Sequence, residues 1–158
     1  MKKFFFVPLI IGLGLLQAGW LGVLSVFGVK PDLLLIMAVM VSLFPFALGW
    51  ALPLSSLAGI TKDILSAGSL GINTLLFPLL GLLVARLSRK IETDNEIVRT
   101  SFVFVAAGLN GLANGLLLFS RVGFFLPGIF LRTLLLESFY TALVSPLAFR
   151  LIKPQNYF

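Results

Sequence analysis

Residues 33–61 read LLLIMAVMVSLFPFALGWALPLSSLAGIT, a stretch with no charged residue and two prolines, Pro45 and Pro53. As one unbroken helix at 1.5 Å per residue it would run to about 43 Å, well past the ~30 Å hydrocarbon core of a bilayer. A proline inside a helix lacks the amide donor and clashes with the preceding turn, so both prolines offer breaks. The stretch therefore predicts two apolar helices, over 33–46 and 49–66. The first is short for a membrane span, so bilayer thinning or a difference in tilt is expected around it.

The flanks repeat the pattern. Further uncharged blocks occupy 4–29, 64–85 and 100–120, and two shorter apolar stretches lie either side of Arg132 and Glu137. Over the 158 residues, 59% are hydrophobic and 11% charged, with a mean hydropathy of +1.09. A soluble domain carries roughly 25% charged residues, so this chain cannot cover itself with polar surface. The expectation is one all-α domain over 1–158, a polytopic membrane bundle of about six helices spanning 4–27, 33–46, 49–66, 72–88, 99–120 and 128–152. Lys2 and Lys3 before an apolar run resemble a signal peptide, but that run is longer than the 7–15 residues of a signal core, so it reads as a retained first span.

Basic residues set the orientation. Lys2, Lys3, Arg86, Arg89, Lys90, Arg99, Arg150 and Lys153, eight of the twelve Lys and Arg residues, fall on one side of a six-span topology. The positive-inside rule makes that side the cytoplasm, with both termini there. The +6 charge is thus explained by loop placement and needs no nucleic acid partner. Cysteine and histidine are both absent. That removes thiolate nucleophiles, imidazole bases and the usual zinc and haem ligands, so no cofactor, metal or enzyme activity is expected. A serine acting with Lys62 is the one hydrolytic pairing that composition leaves open, and a lysine there is better placed to snorkel.

Polar residues inside apolar segments are costly, so each should be paired or functional. Glu137 has Thr133 and Thr141 four residues away on either side, forming a polar stripe on the last helix. Asn110 should lie at similar depth on the antiparallel neighbour, which predicts a hydrogen bond from Glu137 to Asn110 or Asn114. Its plain role is interhelical glue, and its functional alternative a proton or ligand pathway. Asp63 lies at the C-terminal end of the third helix, where the dipole disfavours an acid. Lys62 points to another face, so the expected partners of Asp63 are Arg132 and the amides opening the next helix near Ile72 and Asn73. Gly14, Ala18 and Gly22 on the first helix, and Ala107, Gly111 and Gly115 on the fifth, form small-residue faces for internal packing or for docking a partner helix. Trp20 and Trp50 are candidate interfacial anchors. The 86–99 loop sets topology, with a cytoplasmic partner or anionic lipid as its alternative ligand.

Three segments carry a family resemblance: KPDLLLIMAV (30–39), GITKDILSAGSLGINTLLFPLLGLLVARLSRK (59–90) and YTALVSPLAFRLI (140–152). Pro31-Asp32 opens a span, followed by Gly59, Asp63, Gly68, Gly71 and Asn73 and an apolar helix that ends in a basic cluster. This order resembles the rod shape-determining protein MreD family, over essentially the whole chain. Lys62 departs from the uncharged residue expected there. The resemblance implies a non-enzymatic scaffold of the cell-elongation machinery beside MreC, with MreB, RodA and a class B penicillin-binding protein as indirect partners. It also implies a fold like the six-helix substrate-binding subunits of energy-coupling-factor transporters. A small-molecule-binding transporter subunit is therefore the second function to weigh.

Overall fold

A computed structural model of the chain describes residues 6–19, 28–43, 48–66, 71–91, 93, 95–122 and 127–151. These form six helices and no strand: α1 Phe6–Gly19, α2 Leu33–Leu43, α3 Leu48–Leu65, α4 Ile72–Leu87, α5 Glu96–Val122 and α6 Pro127–Leu151. The ends of α3, α4 and α6 agree with the expected spans to within a residue or so, and α5 begins a turn earlier. Two helices, α5 and α6, are long and apolar enough to cross a membrane, while α1, α2 and α4 are shorter apolar helices. Lys2, Lys3, Trp20, Gly22, Gly68 and Lys153 lie outside the described residues.

The centre of the bundle is α2. Every residue from Leu34 to Leu43 is buried, and the helix touches each of the other five. A helix that is apolar all round has no face to give to water, so its burial follows from its sequence. Neighbouring helices surround α2, so its side chains meet protein on every side.

The outer helices present one face each to that centre. On α1, Phe6, Ile10 and Gly14 are buried at a spacing of four, while Ile11, Leu15 and Leu16 are exposed. On α4, Asn73, Phe77, Leu80 and Val84 face inward, and Leu75 and Leu79 face out. The exposed face of α6 is a ladder of Leu131, Leu135, Phe139, Leu143, Leu147 and Leu151, spaced by four residues over the whole helix. Buried positions meanwhile include Asp32, Asp63, Asn73, Asn110, Ser138, Thr141 and Ser145. The surface is thus apolar and part of the interior polar, an arrangement that a surrounding hydrocarbon solvent favours and water does not.

Glycines mark the close approaches. A β-carbon on Gly59 would lie 2.7 Å from the carbonyl carbon of Asn73 and 2.8 Å from the Cα of Thr74, both backbone atoms, so α3 and α4 cross at this point. Gly14 packs on α3, where a β-carbon would meet Thr61 and Leu65. Of the small-residue face on α1, Gly14 is buried and Ala18 is exposed. On α5, Ala107 is buried, and Gly111 and Gly115 lie against Leu134 and Phe130 of α6. That face packs internally.

Candidate functional site

Two hydrogen-bonded networks form where α2 and α4 begin and α3 ends. Asp32 immediately precedes α2, and its carboxylate accepts the Leu35 N–H at 3.1 Å, the geometry of an N-cap. Pro31 before it is buried. From α1, the Gln17 side chain donates to Asp32 at 3.4 Å and accepts the Leu34 N–H at 3.2 Å. From α6, the hydroxyl oxygen of Thr141 accepts the Asp32 N–H at 3.1 Å. From α3, Lys62 forms an ion pair with the other carboxylate oxygen of Asp32. Four helices are joined through this one aspartate.

Lys62 is held rather than free. Its side chain is 17% exposed, and its ammonium lies 5.2 Å from the centroid of the Phe77 ring on α4, within cation–π range. The expectation that this lysine snorkels to the membrane edge is therefore corrected. An opposite charge and an aromatic face hold it in place.

The second network is built on Asp63. Its carboxylate accepts five hydrogen bonds from the start of α4: the N–H groups of Gly71 (3.0 Å), Asn73 (3.2 Å) and Thr74 (2.9 Å), the Asn73 amide (2.8 Å) and the Thr74 hydroxyl (2.7 Å). The acid lies near the unfavourable end of its own helix dipole and caps the favourable end of the next. Gly71 makes the turn possible, since its φ of 95° is one that a residue with a side chain rarely adopts. Of the partners expected for Asp63, the α4 amides are correct. Arg132 is exposed, and among the described residues no ion pair joins it to Asp63. Five donors already saturate the carboxylate, which explains why the arginine is not needed.

The network continues through Asn73. Its side-chain oxygen accepts from Asn114 at 3.3 Å, and Asn114 donates also to the side chain of Asn110 at 3.1 Å. Asn110 and Asn114 are one helical turn apart on α5, so their amides meet each other before they meet α6. The predicted hydrogen bond from Glu137 to either asparagine is accordingly not formed. The predicted similarity of depth is seen: Lys62, Asn110, Asn114, Thr133 and Glu137 line one cavity of about 350 Å³ between α3, α5 and α6, with Phe130 at its wall. Glu137 thus lines a largely apolar cavity beside two asparagines that have turned to one another.

Asp32, Asp63, Asn73, Asn110, Asn114 and Glu137, all expected from the sequence to need partners or a role, lie in or beside these networks and the adjoining cavity. Gln17 as a contributor and the pairing of Lys62 were not expected from the sequence. A lone glutamine within the uncharged block at 4–29 was the available signal for the first.

Compared with known protein families, residues 2–154 match the rod shape-determining protein MreD family. The chain belongs to the MreD family. Comparisons with curated proteins and with solved structures gave no match. As an MreD-family chain it is a shape-determining membrane protein and not a member of a known enzyme family.

Proposed function

We propose that this MreD-family chain is a non-enzymatic scaffold of the bacterial cytoplasmic membrane. All six helices cross the bilayer, both termini face the cytoplasm, and the bundle binds an MreC-like partner. Through that partner it helps to position the peptidoglycan synthesis enzymes, RodA and a class B penicillin-binding protein, along MreB for rod-shaped growth. Family membership over 2–154 supports the process. The apolar outward faces of α5 and α6 support the location.

The observation that carries the binding role is the cavity lined by Glu137. A scaffold whose own polar groups were fully used within the bundle would have nothing directional to offer. Here Asn114 and Thr133 are already hydrogen-bonded within the bundle, whereas the Glu137 carboxylate lines an open chamber with no hydrogen-bond partner among the described residues, and a partner segment with a donor group would complete it. In this topology the chamber lies in the outer half of the bundle, within reach of a partner segment that leaves the membrane on that side.

Depletion of the protein is expected to turn rods into spheres, and an MreC-like protein is expected to co-purify with it in mild detergent. Glu137→Leu together with Asn114→Leu should reduce that co-purification about tenfold, with the protein still inserted. Cells that stay rod-shaped on depletion, with no MreC-like protein recovered, would overturn the proposal. The cavity volume also favours a second reading, a small-molecule-binding subunit of a transporter related to the energy-coupling-factor type, since pockets of about 300 Å³ and above hold small ligands. A solute that stays in the purified bundle and is lost with Glu137→Leu, in cells whose shape is indifferent to that variant, would favour transport.

A further inference from the structure

At the opposite end of the bundle, a groove of about 320 Å³ runs between α4 and α5, walled by Leu83, Val84, Leu87, Ile91, Phe102 and Val105 among others. Its lining is apolar except for Ser101. On α5 it extends from Val98 to Leu109, about 16 Å at 1.5 Å per residue. That matches half of the ~30 Å hydrocarbon core, the depth of one leaflet.

Charge sits at one end only. Leu87 and Ile91 finish the groove where α4 ends, and Arg86, Arg89 and Lys90 lie in the same turns, all three exposed. Among the described residues none of these three has an ion pair or hydrogen bond from its side chain. The other cations nearby are committed: Arg99 donates to the Thr93 carbonyl, and Arg150 pairs with Glu96. Glu92 and Asp94 belong to the same loop, so the segment 86–99 holds four cations and three acids, one of which Arg150 already neutralises.

We propose that this groove is a binding site for one anionic phospholipid, with an acyl chain along α4 and α5 and its phosphate held by Arg86, Arg89 and Lys90. A partner's apolar helix would gain nothing from three cations at one end. A lipid with a negative headgroup uses both features, and each basic residue near such a headgroup contributes about a fivefold gain in affinity. The inference rests on the bundle standing in a membrane.

The test uses the full chain in mild detergent, titrated with phosphatidylglycerol and phosphatidylcholine of identical acyl chains, with retained lipid counted by native mass spectrometry. One phosphatidylglycerol per chain is expected, held at least tenfold more tightly than phosphatidylcholine. Arg89→Gln with Lys90→Gln should weaken phosphatidylglycerol about twenty-five-fold and leave phosphatidylcholine unchanged. Val105→Trp should fill the groove and weaken both lipids; Val105 is 53% exposed, so the larger ring needs no space in the interior. Equal retention of the two lipids, or phosphatidylglycerol binding unmoved by both variants, would overturn the site. So would a Val105→Trp variant that keeps its lipid and loses the MreC-like partner, because the occupant would then be a protein helix. A protein that remains dispersed without detergent would instead sink the membrane scaffold reading itself.

Discussion

Asp63 concentrates what single residues do in this protein. A carboxylate offers two oxygens and about four lone-pair sites, and here five donors from Gly71, Asn73 and Thr74 converge on them. An asparagine at that position would keep one acceptor oxygen and turn an NH₂ toward amides that also donate. Asp63→Asn should therefore destabilise the protein by about 2–3 kcal/mol, the cost of leaving one or two buried donors unsatisfied. The measurement is thermal unfolding in detergent, and a melting temperature equal to that of the parent would contradict the capping role. The acid itself was legible in the sequence because it sat where a helix dipole should not tolerate it. Its choice of the α4 amides over Arg132 was not, because the two options differ only in the three-dimensional route of the α3–α4 turn.

Helices differ sharply in how much each side chain matters, and hydropathy alone does not reveal the difference. Met37 on α2 and Leu143 on α6 belong to similarly apolar segments, yet Met37 is 1% exposed and Leu143 is 62% exposed. Met37→Ala should cost about 2–5 kcal/mol through the cavity it leaves in the core. Leu143→Ala should lie within about 0.5 kcal/mol of the parent, as expected for an exposed position. Equal losses in a side-by-side denaturation series would show that α2 is not the centre. The existence of α2 was readable from 33–43, since an all-apolar helix is either buried or lipid-facing. Which of the two applies was decided by the outer helices.

Across the assembled bundle, the two polar networks draw in every helix: Gln17 from α1, Asp32 before α2, Lys62 and Asp63 from α3, Asn73 from α4, Asn110 and Asn114 from α5, and Thr141 from α6. Lipid gives helices little reason to associate, so such polar contacts and close small-residue packing have to fix the arrangement. The ion pair of Asp32 and Lys62 offers a direct check. Lys62→Met should cost about 3–5 kcal/mol by stranding a buried carboxylate. Exchanging the two residues should not restore the parent, because a lysine at 32 cannot accept the Leu35 N–H and the cap alone contributes about 1 kcal/mol. Full recovery in the exchanged variant, read by yield and melting temperature, would mean that the pair acts through charge alone.

Helix number, approximate boundaries, the apolar character of each segment and the polar residues that would need partners were all determined by the sequence itself. Those properties depend on hydropathy and spacing along the chain, which are local. The identity of the partners was decided only by tertiary structure: Lys62 with Asp32, Asp63 with the start of α4, and Asn114 with Asn73 and not with Glu137. Each donor had several acceptors at a plausible depth, and the contest among them was settled by how the helices pack, with the backbones of α3 and α4 brought together at Gly59 and α1 seated on α3 at Gly14.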